Sequence, residues 1–78
     1  MKISVTQHHI DNGVRGSATS DPIALALKDA GWEKPYANAF GLQNGQTKRY
    51  PLQKGMWEFM YQFDNGLPVE PFEFEVGE

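Results

Sequence analysis

The stretch SDPIALALKDAGW, residues 20–32, carries both ends of a helix in its own letters. Asp21 stands where an N-cap carboxylate accepts a first-turn N–H, and Pro22 follows at N1, where a missing donor costs nothing. Ile23, Ala26, Leu27 and Ala30 then recur at helical spacing and make one apolar stripe. Gly31 suits the left-handed C′ residue of a Schellman stop, which would fold Trp32 back onto Leu27. A helix with a single apolar stripe needs a layer to lie on, so the flanking segments have to supply one.

Those segments read mostly as strands. In KISVT, residues 2–6, Ile3 and Val5 alternate with Lys2 and Ser4. Thr6 then caps a helical turn through QHHIDNG, residues 7–13, with Ile10 and Val14 inward and Gly13 at its end. Residues 36–52, YANAFGLQNGQTKRYPL, read as one hairpin about a two-residue Asn44-Gly45 turn of type I′. Counting outward from that turn sets Leu42 opposite Thr47, Phe40 opposite Arg49, Ala39 opposite Tyr50 and Ala37 opposite Leu52. Ala37, Ala39, Tyr50 and Leu52 then lie under the helices, while Tyr36, Phe40, Leu42 and Arg49 share the other, partly exposed face.

In QKGMWEFMYQFDNG, residues 53–66, Met56, Phe59, Met60 and Phe63 form a second core stripe, with Gly66 as its C′ residue. Trp57 and Tyr61, four apart, flank that stripe. EPFEFEV, residues 70–76, alternates Phe72, Phe74 and Val76 inward with Glu73 and Glu75 outward. The expectation is one α+β domain over residues 1–78: a single mixed or antiparallel layer of about four strands with two main helices on one face. If the terminal strands pair, Lys2 faces Glu73 or Glu75.

A chain of 78 residues without cysteine has neither disulfides nor a thiolate zinc site, so packing alone carries its stability. No apolar run approaches the roughly 20 residues of a membrane span, and MKISVTQHH lacks the apolar stretch of a signal peptide; a cytoplasmic protein with no membrane partner is expected. The charge is uneven. Residues 1–54 hold all seven basic residues and four acids, a net +3, whereas residues 55–78 hold six acids and no base. Such asymmetry speaks about partners and solubility.

The chemical motifs point away from catalysis. The loop GVRGSATS before Pro22 offers Arg15 and a helix entrance to an anion, but Asp21 already occupies the positive end of the helix and would repel phosphate. His8 and His9 point about 100° apart on a helix and have no third ligand to share a metal with, so structural histidines, exposed or half buried, are expected and no metal or cofactor is assigned. Glu73 and Glu75 lie about 7 Å apart on a strand face without a recognisable pocket. The chain is therefore read as non-enzymatic.

Two binding surfaces remain. One is acidic: Glu58, Asp64, Glu70, Glu73 and Glu75, with Glu78 beyond them, suit a partner with a basic groove, such as a nucleic-acid-handling protein whose phosphate site carboxylates could occupy. The other is the hairpin face, where Tyr36, Phe40 and Arg49 combine stacking and positive charge as a single-stranded nucleic-acid surface does.

Three stretches carry a resemblance: GVRGSATSDPIALALKDAG (13–31), YPLQKGMWEFMYQFDNG (50–66) and LPVEPFEFEV (67–76). Together they resemble a type of small phage- or prophage-encoded protein, with a capped helix entrance, an aromatic helix and a terminal Pro-Phe-x-Phe strand. Proteins of that type often carry a Cys-x-x-Cys pair just before the helix; Ala18 and Asp21 stand there in this chain, so no role of such a pair transfers. The resemblance implies a phage accessory protein acting by protein–protein binding in the host cytoplasm, with inhibitors of CRISPR-type and other nuclease defence complexes as one such class.

Overall fold

The structure is a computed structural model describing residues 1–77. Strand β1 (Lys2–Val5) leads into helix α1 (Gln7–Asn12) and helix α2 (Pro22–Asp29). Strands β2 (Pro35–Asn38), β3 (Gly41–Asn44) and β4 (Arg49–Tyr50) follow, then helix α3 (Met56–Asp64) and strand β5 (Phe72–Glu75). The class is α+β, as expected. The strands divide between two antiparallel sheets instead of forming one layer: β1 pairs with β5, and β2–β3–β4 form a meander.

Helix α2 begins and ends, and α3 ends, where local chemistry dictates. The Asp21 carboxylate accepts the Ala24 N–H at 2.7 Å, with Pro22 inside the first turn. At the other end Gly31 takes φ 112°, Trp32 N donates to Leu27 O at 3.1 Å and Gly31 N to Lys28 O at 3.0 Å, the paired bonds of a Schellman stop. Helix α3 closes in the same way, with Gly66 at φ 75° and Leu67 N donating to Gln62 O at 2.9 Å. Ile23 and Leu27 from α2, Ile3 and Val5 from β1, Met56 and Phe59 from α3 and Phe74 from β5 meet in one core. Helix α2 touches both β1 and β2, so it joins the two sheets through a shared core.

The terminal strands pair with Lys2 opposite Glu75 and Ser4 opposite Glu73. Lys2 Nζ reaches Glu73 at 3.1 Å, Ser4 Oγ donates to the same carboxylate at 3.2 Å, and the Met1 amino group lies 3.8 Å from Glu75. The Gln53 side-chain amide donates to the Glu75 carbonyl and ties the segment before α3 to β5.

The middle of the chain corrects the single hairpin expected from Asn44-Gly45. Two reversals occur. The first is at Ala39-Phe40, where Asn38 Oδ1 accepts the Phe40 N–H at 2.8 Å and Gly41 follows at φ 137°. Ala37 thus opposes Leu42, and Leu42 opposes Tyr50 rather than Thr47. The second reversal keeps Asn44 and Gly45 but is wider, because Gly45 N donates to Lys34 O at 2.9 Å and Thr47 folds back onto the Asn44 carbonyl. An Asx-type local bond and a glycine outcompeted the Asn-Gly signal for the tight turn. The buried face therefore holds Ala37 and Leu42 with the half-buried Tyr50, so Leu42 moves to the core side.

Candidate functional site

Helix α3 shapes the most distinctive surface. Its residues 56, 59, 60 and 63 are buried, so the helical period turns Trp57, Tyr61 and Asp64 toward one flank and Glu58 and Gln62 toward the other. Each flank borders a groove.

The first groove lies between α3, the loop before α2 and the β2–β3 turn, with a volume of about 260 Å³. Trp57 and Tyr61 stand on its rim, each 54% exposed, their rings stacked at 5.4 Å between centroids and 10° between planes. Ala18, Ala37 and Met60 add apolar lining, and Asp21 and Asp64 bring two carboxyl groups. Asp64 also accepts the Gly16 N–H at 3.0 Å, which holds the loop against the helix end. Burial, reinforced by the Asp64 charge, pushes the Asp21 carboxyl up to about 7, even though the first-turn amides of Ala24 and Ile23 favour its ionised form. No lysine or arginine lines this groove.

The second groove runs between α3 and the approach to β5. Phe59, Val69 and Phe72 form its apolar part, with the Phe59 and Phe72 rings 4.8 Å apart. Glu58, Glu70 and Glu73, from three separate segments, surround it together with Lys54. The neighbouring Lys2 ammonium and the Ser4 hydroxyl hold the Glu73 carboxyl below its usual range.

The acidic residues singled out from the sequence are thus partly gathered. Glu58, Glu70 and Glu73 share a groove, Asp64 lines the other one, and Glu75 sits on β5 toward the amino terminus. Glu78 lies outside the described residues. On the meander, Tyr36, Gln43 and Arg49 stand in register across three strands on the outer face, and Phe40 is 76% exposed at the β2–β3 turn. Lys48 lies over the Tyr50 ring at 5.5 Å, away from that row. Tyr36 also borders a groove with Lys28, Lys34 and Glu33.

His9 departs from the exposed or half-buried expectation. It is 6% exposed and takes an inward place on α1, whereas Val14, expected inward, is 52% exposed. His9 Nδ1 accepts the Thr6 backbone N–H at 3.0 Å, and Nε2 lies 2.7 Å from Asp29 Oδ2. The Thr6 hydroxyl is 3.2 Å from Nδ1, so threonine, histidine and aspartate line up as in a nucleophile relay. The resemblance is superficial: a neutral ring with Nδ1 accepting from the backbone carries its proton on Nε2 and gives it to Asp29, leaving no lone pair for the hydroxyl. The trio caps α1 and ties it to α2. His8, by contrast, is exposed and 3.3 Å from the Asn12 amide. Among the described residues no three metal-ligating side chains converge, and no helix is long and apolar enough to cross a membrane.

Sequence reasoning pointed to neither the Trp57–Tyr61 stack nor Asp21 as parts of a surface. The i, i+4 aromatic spacing was the available signal for the stack; nothing local could place the residue-18 loop against α3. No known protein family, curated protein or solved structure matches the chain.

Proposed function

We propose that this chain is a non-enzymatic accessory protein that acts by binding another protein, with the outward side of α3 as its contact face. The observation that carries the proposal is the composition of that side: Trp57, Glu58, Tyr61 and Asp64 are all exposed, and Glu70, from the segment before β5, and Glu73, on β5, extend the same negative surface. Exposed aromatic rings combined with carboxylates, of which Glu73 is already paired with Lys2, favour a basic protein surface, the rings supplying contact area and the net negative charge steering the approach. The phage setting implied by the sequence resemblance supplies such partners in the host cytoplasm: nucleic-acid-handling complexes, CRISPR-type defence among them, whose phosphate-binding clefts are basic.

Affinity capture from host lysate tests this reading. Basic nucleic-acid-binding proteins should be retained, retention should weaken as salt rises, and replacing Glu58, Glu70 and Glu73 with lysine should abolish it while the circular dichroism spectrum is unchanged. Equal retention by the folded triple variant would overturn the proposal.

The register favours one second reading. Tyr36 and Arg49 share the outer face of the meander, beside a groove that holds Lys28 and Lys34, an arrangement that suits single-stranded nucleic acid. A gel-shift titration decides it: salt-sensitive retardation lost on Arg49→Ala and Phe40→Ala supports this reading, and no retardation removes it.

A further inference from the structure

We propose that the groove between Trp57, Tyr61 and Asp64 is a receptor for a single arginine side chain presented by a protein partner. The inference deepens the assignment of the α3 side as the contact face and rests on it, but it uses the flank opposite Glu58, Glu70 and Glu73. Four observations converge. The two rings are stacked on each other yet more than half bare, each 54% exposed, which leaves a flat π surface open to solvent. Asp64 stands at the same groove, and Asp21 lies within its lining. No basic side chain lines the groove; the nearest in sequence, Arg15, packs its guanidinium against Gly66 instead. The volume, about 260 Å³, suits one extended side chain.

This combination selects among cations. A guanidinium is planar and weakly hydrated, so it can lie flat on an indole or phenol ring while its edge N–H groups donate to a carboxylate. A lysine ammonium is compact and strongly hydrated, and it uses neither the flat ring pair nor the two-pronged carboxylate geometry to the same extent. An anion is disfavoured by the exposed Asp64 carboxylate. The groove thus recognises the flat cation of arginine, and its carboxyl-rich wall leaves the positive charge to the occupant.

The test is a two-dimensional amide and indole NMR titration of the full chain with acetyl-arginine-amide, alongside acetyl-lysine-amide and acetyl-citrulline-amide, each taken to tens of millimolar. Arginine should shift the Trp57 indole, Tyr61, Asp64 and Ala18 signals and leave the Trp32 indole, on a different groove, in place. Lysine should bind about tenfold more weakly, and neutral citrulline should give no saturable shift. Tyr61→Ala and Asp64→Asn should each weaken arginine about tenfold with the remaining spectrum unchanged. Equal affinity for lysine or citrulline, shifts confined to Glu58 and Glu70, or no shifts at all would overturn the proposal. The contact-face reading fails separately: arginine binding without retention of any basic protein would sink that reading and spare the groove, whereas retention lost on the triple lysine variant without arginine binding would do the reverse.

Discussion

His9 Nε2 lies 2.7 Å from Asp29 Oδ2 across the contact between α1 and α2. The first helix has only six residues and no capacity to stand alone, so this bond and the packing of Ile10 against the core tie it to the domain, while the bond from the Thr6 N–H to the other ring nitrogen caps its first turn.

Replacing His9 with alanine removes both bonds and opens a hole in a nearly closed site. The expected loss is about 2–3 kcal/mol, read as a lower urea midpoint at unchanged slope. His9→Gln should recover part of that loss, since a glutamine at the third helical position can still accept the Thr6 N–H in a capping box. A glutamine variant no better than alanine would show that the Asp29 bond matters more than the cap.

Asp21 gives the protein a pH dependence with a definite sign. Its carboxyl rises from 3.8 to about 7 in the folded chain because burial and the Asp64 charge oppose ionisation. The folded state therefore holds a proton that the unfolded state has lost between those values, and stability falls as pH rises from about 4 to 7. The ceiling on this contribution is about 4 kcal/mol, set by the size of the shift, in which the opposing effect of the first-turn amides is already included. Asp21→Asn keeps an N-cap side chain and removes the titration, so melting temperatures measured at pH 5 and pH 8 should differ less in the variant than in the parent. An undiminished difference would place the effect elsewhere.

Gly41 meets two demands at once. Its φ of 137° is one that a side chain rarely adopts, and a Cβ there would lie 2.4 Å from the Tyr50 carbonyl oxygen. Gly41→Ala should cost more than 2 kcal/mol by roughly summing both penalties, and amide exchange should quicken in β3 and β4 while α2 stays protected. Even loss of protection across the whole chain would show that the meander does not open by itself.

The helices and the terminal strands were legible because their signals are local and agree with one another. Asp21-Pro22 and Gly31 bracket α2, Gly66 stops α3, and the alternation of Ile3, Val5, Phe72 and Phe74 gives the pairing of β1 with β5 its buried face. The meander was misread because two turn signals, Asn44-Gly45 and Asn38 followed by Gly41, compete within seven residues, and the contact of Gly45 with Lys34 that settles the outcome comes from outside the hairpin. The arrangement of the acidic residues was legible only in part. Strand alternation exposes Glu73 and Glu75, but which groove Asp64 faces depends on the rotation of α3 about its axis and on the loop it holds through Gly16. His9 was missed because a histidine at the third helical position is not among the usual capping residues, although Thr6-x-x-His9 has the right spacing.

The ribbon formed by β1 and β5 also governs the order of assembly. Ser4 and Glu73 bond across 69 positions of chain, so joining the two strands carries a closure entropy of about 4 kcal/mol. During synthesis Ile3 and Val5 leave the ribosome long before their partners exist. Until β5 emerges, β1 has only the helices to shelter against, so the core closes only once that strand has been made.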